Sequence, residues 1–257
     1  MDKSTISNAS AILTGALTTA ATFGFGVDTT AAVFVGTNAS ILQQFIARGL
    51  ESLFGRSLAK SECARLGIAY DEVRETIKRN LKSGKTIRQD GFLDESFNGN
   101  YSRANELVEA TIKFAIDDSE FLKAQAYGRL LGNSLFCDFD RDSIKSLART
   151  IKELSYRELC TIYSFYGKTP RNFTKLEYDI RHTKQDSTEE AEYFARILHL
   201  KTLGVLMPSA TFISNSAIGY VFLSKMGRNL CEMMEFNPTE TDTLQREVAL
   251  FEQYALE

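Results

Sequence analysis

From Ile41 onward, apolar residues recur at helical spacing along most of the chain. The clearest helical faces comprise these positions: Ala104, Leu107, Val108, Ile112 and Ala115; Phe121, Leu122, Ala126, Leu130 and Leu131; and Ile144, Leu147, Ala148, Ile151 and Leu154. Residues spaced three and four apart share one side of an α-helix, and this pattern is typical of helices that pack against a core. The sequence therefore predicts a mainly α fold, in which these helices form a bundle.

Capping signals mark where several helices begin and end. Ser155 and Glu158 have the spacing of a capping box, and residues 187–190 repeat it. In such a box the serine side chain accepts a hydrogen bond from the third helical residue, while the glutamate accepts one from the serine amide. Gly204 is expected to terminate the helix that starts after residue 187. Residues 242–245 are expected to cap a last helix, with Asp242 as the capping residue.

One segment of the carboxyl third has the pattern of β-strands instead. Residues 211–214 and 219–222 flank the turn-prone pair Asn215-Ser216, and together they predict a β-hairpin. Helices precede and follow this hairpin. The order of helices, two-stranded wing and helix indicates a winged-helix-like module.

Three domains are expected: an N-terminal helical region (1–90), a central helical domain (91–168), and the winged-helix-like module with a terminal helix (169–257). The first domain is unusual because residues 4–47 contain one charged residue, Asp28. Glycine, threonine and amide side chains interrupt this stretch, so it does not match the run of about 20 apolar residues that a spanning helix needs. A packed, charge-poor helical hairpin is expected there.

Composition places the chain among ordinary globular proteins. It has 257 residues, a net charge near −3, 44% apolar and 25% charged residues. The four cysteines are widely separated and form no C-x-x-C pair: Cys63, Cys137, Cys160 and Cys231. Reduced thiols in a cytoplasmic protein are therefore expected, with neither a zinc site nor a disulfide framework. Conditional association with the inner membrane is an alternative location.

Three aspartates form the strongest candidate metal site. Asp138, Asp140 and Asp142 alternate along the chain and could offer three oxygen ligands. A calcium loop also needs glycine at its sixth position and glutamate at its twelfth, and here these positions hold Ser143 and Arg149. The aspartates are therefore weak metal candidates. The favoured interpretation is that Asp140 or Asp142 caps the helix that follows.

A row of basic residues accompanies the predicted helix that contains Val73 and Ile77. Its members are Arg74, Lys78, Arg79, Lys82, Lys85 and Arg88. Such runs are usually solvated helix faces. The functional alternative is contact with phosphate groups, either of anionic lipid or of nucleic acid. Nucleic acid is disfavoured as a partner because the net charge of the chain is negative, and because the acidic residues within 189–192 would repel a phosphate backbone.

Enzymatic motifs are incomplete in this sequence. Gly84-Lys85-Thr86 imitates the end of a phosphate loop, but Arg79 stands where its first glycine is needed. Neither His182 nor His199 has an arginine four to six residues upstream, and no G-x-S-x-G elbow accompanies a serine. No catalytic residues, cofactor or cofactor-binding residues are predicted, and an enzyme is disfavoured.

Two segments resemble the bacterial abortive infection alpha family. Leu130-Leu-Gly-Asn-Ser134 and Ile151-Lys-Glu-Leu-Ser155 carry the resemblance, which extends over roughly residues 87–236. The chain departs from the family at Tyr156, where proline is frequent. The resemblance implies a bacterial protein of antiphage defence, whose infected host stops growing or dies. It implies no catalytic residues.

Three mechanisms remain open at this point. The charge-poor amino-terminal helices could insert into the membrane on activation, with the basic row on anionic head groups. Alternatively, the protein is a non-enzymatic adaptor or sensor whose carboxyl module binds a protein, which is a phage factor, a host factor or a second copy. The third alternative is a winged-helix regulator that binds DNA.

Overall fold

The structure, a computed structural model, describes residues 58–93, 103–166, 174–176, 188–208, 219–236 and 241–256. These residues form eight α-helices and one small antiparallel sheet, so the predicted mainly α fold class is confirmed. The chain divides into two compact units, Met1–Ala148 and Arg149–Glu257. The boundary differs from those expected at residues 90 and 168. The charge-poor amino-terminal stretch lies outside the described residues.

Unit 1 is built from helices. Its elements are α1 (Lys60–Lys82), α2 (Arg103–Asp117), α3 (Phe121–Ser134) and the first part of α4 (Arg141–Glu153), which contains the unit boundary. Helix α1 packs along α3, and α2 contacts both of them. The predicted apolar faces of α2 and α4 are buried, as their spacing indicated.

Two glycines in α3 allow α1 and α3 to lie unusually close together. A Cβ atom added at Gly128 would lie 2.5 Å from the carbonyl oxygen of Ala69, and one added at Gly132 would lie 2.7 Å from the Thr76 side chain. Next to this contact, the buried Asn80 side chain donates a 2.6 Å hydrogen bond to Asn133. Small residues one helical turn apart therefore set the distance between the two helices.

A buried ion pair closes the junction between α2 and α3. The Lys123 ammonium lies 2.6 Å from the Asp118 carboxylate, and both side chains are almost fully enclosed. The Tyr127 hydroxyl donates to the same carboxylate at 3.1 Å. Burial, followed by the nearby Asp118 charge, raises the pKa of Tyr127.

This ion pair explains a wrong prediction for α3. Phe121 and Leu122 were expected to be buried, but they are 44% and 38% exposed. Lys123 is drawn inside by Asp118, and the buried stripe of the helix begins at Lys123 and Ala124 instead. The expected burial of Ala126, Leu130 and Leu131 is confirmed.

Unit 2 combines the end of α4 with four further helices and the sheet. In chain order the elements are α5 (Tyr156–Ser164), β1 (Thr174–Leu176), α6 (Thr188–Thr202), β2 (Leu206–Pro208), β3 (Gly219–Leu223), α7 (Lys225–Met234), α8 (Asp242–Tyr254) and β4 (Ala255–Leu256). The strands lie in the order β2, β3, β1, β4, and each neighbouring pair is antiparallel.

Helix α5 is the centre of unit 2. It contacts α6, α7 and α8. At its end, the ring of Phe165 meets Phe251 of α8 edge-on, with centroids 4.9 Å apart. On its other side, Tyr156 and Tyr163 both meet the ring of Phe236 edge-on. Aromatic packing therefore surrounds α5 and forms much of the core of this unit.

Several predicted boundaries are confirmed, and one is wrong. Ser155 caps α5 in a complete capping box with Glu158. Gly204, two residues after the end of α6, has a φ of +70°, as expected of a terminating glycine. The last helix is capped by Thr241, whose hydroxyl accepts a hydrogen bond from the Leu244 amide, and not by the predicted Asp242. Asp242 lies in the first turn, where a carboxylate still favours the helix dipole.

The predicted hairpin is found in part. Strand β3 matches its second arm, residues 219–222, and pairs with β2 so that Leu206 lies opposite Leu223. The expected first arm, residues 211–214, and the turn Asn215-Ser216 lie outside the described residues.

The close contact between α1 and α3 generates a stability prediction. Gly128→Ala should lower the free energy of unfolding by about 1–3 kcal/mol, because the new methyl group meets the backbone of α1, which cannot move away cheaply. Urea denaturation followed by circular dichroism measures the change.

Gly67→Ala is the matched control. Gly67 lies within α1 and has open space around its Cβ position. The higher helix propensity of alanine should leave stability unchanged or raise it by up to about 1 kcal/mol. Equal effects of the two substitutions would contradict a steric role for Gly128.

Candidate protein-interaction face

Helix α6 is amphipathic and has one face exposed to solvent. Its buried face consists of Tyr193, Phe194, Ile197 and Leu200. On the opposite side, we define the α6 face as these exposed residues: Thr188, Ala191, Glu192, Ala195, Leu198, His199 and Thr202. Leu198 is 46% exposed, one of the few large apolar side chains in the described residues that lie so open to solvent.

The chemistry of the α6 face is that of small and apolar groups. Ala195 lies at its centre, with Ala191 and Leu198 along one edge and Glu192 and His199 along the other, as the 3.6-residue period requires. Among the described residues of α6, no lysine or arginine belongs to this face. It can therefore offer apolar contact with a polar border, which suits a protein surface better than a phosphate backbone.

The amino-terminal acids of α6 are bound within unit 2. Arg157 of α5 forms ion pairs with Glu189 and Glu192, each at 3.1 Å. The carboxylates remain about half exposed on their other side. This arrangement fixes the start of α6 against α5 and leaves a negative border at that end of the face.

A fully buried carboxylate holds α6 from its inner side. The Glu247 side chain of α8 has no exposed area and accepts hydrogen bonds from Arg157 Nε at 2.8 Å and Arg196 Nη2 at 2.7 Å. The Thr161 hydroxyl donates a third hydrogen bond, 2.6 Å long. Two guanidinium groups and a hydroxyl thus surround one carboxylate, and they join α5, α6 and α8 at a single point.

The carboxyl-terminal half of α6 is tied to the start of α5. His199 Nδ1 forms a hydrogen bond with the Glu158 carboxylate, which also accepts from the amide and hydroxyl groups of Ser155. Burial acts to raise the pKa of Glu158, but these hydrogen bonds outweigh it and hold the pKa below its ordinary value. Both ends of the α6 face are therefore held in place by contacts within unit 2.

The residues of the predicted basic row make different contacts. Arg74 pairs with Glu75 at 3.4 Å, and Lys78 pairs with the same carboxylate at 3.7 Å. Arg79 donates a hydrogen bond to the Thr76 hydroxyl. Lys82 and Lys85 are exposed at the carboxyl-terminal end of α1 and in the turn after it. Cations in this position also have a structural role, because they favour the negative end of the helix dipole.

Arg88 differs from the other basic candidates because its side chain is only 6% exposed. It donates to the carbonyl oxygen of Phe139 at 2.8 Å and to that of Ser134 at 3.3 Å. It also pairs with Asp90, and its guanidinium lies 4.2 Å from the centroid of the Phe92 ring. Arg88 therefore connects the segment after α1 with the end of α3, inside unit 1.

The three candidate metal ligands have separate surroundings. Asp140 accepts hydrogen bonds from the amide and hydroxyl groups of Ser143, both at 2.8 Å, so the predicted capping role of Asp140 is confirmed. These hydrogen bonds lower the pKa of Asp140. Asp142 pairs with Arg141, and Asp138 is exposed. In the part of the chain that the structure describes, no group of three or more potential ligands is arranged around a common metal position.

Membrane insertion concerns a part of the chain that is not described. Residues 4–47, on which that prediction depends, lie outside the described residues. Within the described ranges, no helix combines the length and apolar character needed to cross a bilayer.

No sequence motif indicates the role of Glu247. Its partners are 51, 86 and 90 positions away along the chain, so no local motif connects them. One signal could have indicated it. Glu247 falls on the apolar stripe of the last helix, between Leu244 and Leu250, where a carboxylate needs a buried partner.

The buried carboxylate generates a second prediction. Glu247→Gln should lower the free energy of unfolding by about 3 kcal/mol, because the enclosed Arg196 loses the charge that compensates its burial, while Arg157 keeps its pairs with Glu189 and Glu192. Guanidinium denaturation would measure the loss. Arg246→Gln, which removes a charge at an exposed position on the same helix, should change stability by no more than about 0.5 kcal/mol. A loss for Glu247→Gln as small as this would contradict the role assigned to Glu247.

Comparisons of this chain with family models, with curated proteins and with solved structures found no match.

Proposed function

We propose that this chain is a non-enzymatic helical adaptor of bacterial antiphage defence, and that it binds a protein through the α6 face. The α6 face itself carries the proposal, since Leu198 is 46% exposed beside Ala191 and Ala195. Apolar and small side chains at helical spacing suit the docking of a helix or groove of another protein. Phosphate recognition would instead require basic groups directed outward.

Rigidity of α6 supports this role. Glu247 with its two arginines, and Glu158 with His199, hold the inner side and both ends of the helix. A partner that docks on the α6 face would therefore not have to order the helix first. Such preorganisation lowers the entropic cost of association.

The assignment to phage defence depends on the resemblance to the abortive infection alpha family. The residues that carry the resemblance have structural roles here. Gly132 allows the approach to Thr76, Asn133 bonds Asn80, and Ser155 caps α5. These roles fit a family that shares a helical scaffold, with no catalytic residues implied.

We further propose that unit 2 has a winged-helix-like arrangement. The chain order α5, β1, α6, β2, β3 and the sheet order β2, β3, β1 support it. In DNA-binding proteins with this arrangement, a helix in the position of α6 enters the major groove. The absence of basic side chains from the described α6 face favours a protein as the partner. Fluorescence anisotropy with duplex DNA at low salt should give no binding, whereas salt-sensitive binding would favour a DNA regulator.

A plaque assay tests the proposed function. The full chain, expressed in a phage-sensitive bacterium together with its neighbouring genes, should reduce plaque formation. Ala195→Glu should abolish this protection, because it places a charge at the centre of the α6 face. Gln245→Glu introduces the same charge at an exposed position on α8 and should protect like the wild type. Circular dichroism melting curves verify that both variants fold.

Two results would contradict the proposal. A wild-type chain without protection would exclude the defence role, and full protection by folded Ala195→Glu would exclude the α6 face. Membrane potential, recorded in the same infected cultures, distinguishes the adaptor from a membrane-perturbing effector. An adaptor should leave the potential unchanged until the host response begins, whereas an effector that inserts into the membrane collapses it at once.

A further inference from the structure

We propose that the partner of the α6 face is α6 of a second copy of this chain, packed antiparallel about a two-fold axis at Ala195. The inference rests on the proposed function, because it names the occupant of the same face. It follows from the size of the side chains at the centre of the α6 face and from the positions of the acidic and basic side chains around them.

Small side chains at the centre permit two such helices to approach. Ala195 lies at the middle of the face, and Thr188 and Thr202 lie seven residues before and after it on nearly the same line. Helices with small residues at their contact pack with axes about 8 Å apart. A two-fold axis at Ala195 brings the two Ala195 side chains together and places Thr188 opposite Thr202 of the second copy.

The edges of the face match each other under the same operation. The two-fold axis is perpendicular to both helices. Each edge of the α6 face therefore lies beside the same edge of the second copy, and the two edges run in opposite directions. On one edge, Glu192 then lies opposite His199 of the second copy, and this pair occurs twice. On the other edge, Leu198 lies beside Ala191 of the second copy, where a methyl side chain leaves room for it.

Charge selects the antiparallel orientation. On the α6 face, Glu192 precedes Ala195 and His199 follows it, while Arg196 is directed inward to Glu247. Parallel packing would place Glu192 against Glu192 of the second copy, whereas antiparallel packing places it against His199. The helix dipoles also oppose one another only in the antiparallel pair.

The size of the contact predicts a weak dimer. A helix of 15 residues is about 22 Å long, and a single pair of this length lies at the small end of specific interfaces. A dissociation constant of about 1–100 μM is therefore expected, with a monomer–dimer equilibrium that depends on concentration.

Disulfide trapping tests the orientation of the two helices. In the full chain with Cys63→Ser and Cys137→Ser, Ala195→Cys should form a disulfide-linked dimer under mild oxidation. Thr188→Cys lies on the same face but should remain monomeric, because two copies of residue 188 would lie about 21 Å apart. Mixing Thr188→Cys with Thr202→Cys should give a crosslinked heterodimer. Crosslinking of Thr188→Cys alone as readily as Ala195→Cys would overturn the antiparallel arrangement.

Sedimentation equilibrium of the purified chain tests self-association itself. The wild type and Gln245→Glu should dimerise with rising concentration, while Ala195→Glu should stay monomeric because two like charges would meet at the axis. A wild type that stays monomeric up to about 1 mM would overturn the inference.

The two proposals fail in different ways. A monomeric wild type, combined with loss of protection by Ala195→Glu, would refute self-association and leave the proposed function standing, with a phage or host protein on the α6 face. A wild type that dimerises, combined with a monomeric Ala195→Glu that still protects, would refute the proposed function and leave self-association standing.

Discussion

The arrangement of unit 2 depends on one buried carboxylate. Glu247 comes from the last helix and receives hydrogen bonds from Arg157, Arg196 and Thr161. Taking a carboxylate out of water is costly, and only a complete set of charged partners offsets that cost. The three helices that supply these groups must therefore assemble together. Their assembly directs one side of α6 inward and leaves the opposite side, with Ala195 and Leu198, to solvent.

The main helix contact of unit 1 combines close approach with charge, since Arg129 Nε of α3 donates a 2.8 Å hydrogen bond to the Glu72 carboxylate of α1. Gly128 and Gly132 let α3 approach the backbone of α1 more closely than any residue with a Cβ atom would allow. Interiors are close-packed, so a contact of this kind tolerates little change in volume. The ion pair between Asp118 and Lys123 lies at the start of the same helix and determines which of its first residues are enclosed.

The two units differ in where they leave apolar surface. Unit 1 exposes Phe121 and Leu122 at the start of α3 because Lys123 occupies the interior. Unit 2 exposes the α6 face, which combines small residues at its centre with Glu192 before them and His199 after them on one edge. Only the second combination is self-complementary under a two-fold rotation. For that reason the proposed self-association involves the α6 face and not the exposed side chains of Phe121 and Leu122.

The sequence by itself determined the helical class, most of the buried faces of α2 and α4, the cap of α5 and the end of α6 at Gly204. These features depend on residues within one or two helical turns, where spacing and capping chemistry act directly. Tertiary structure alone decided that Arg88 is enclosed, that Lys123 replaces Leu122 inside, and that Glu247 joins three helices. Each of these outcomes depends on partners from other elements, up to 90 positions away for Glu247, and sequence periodicity carries no information about such partners.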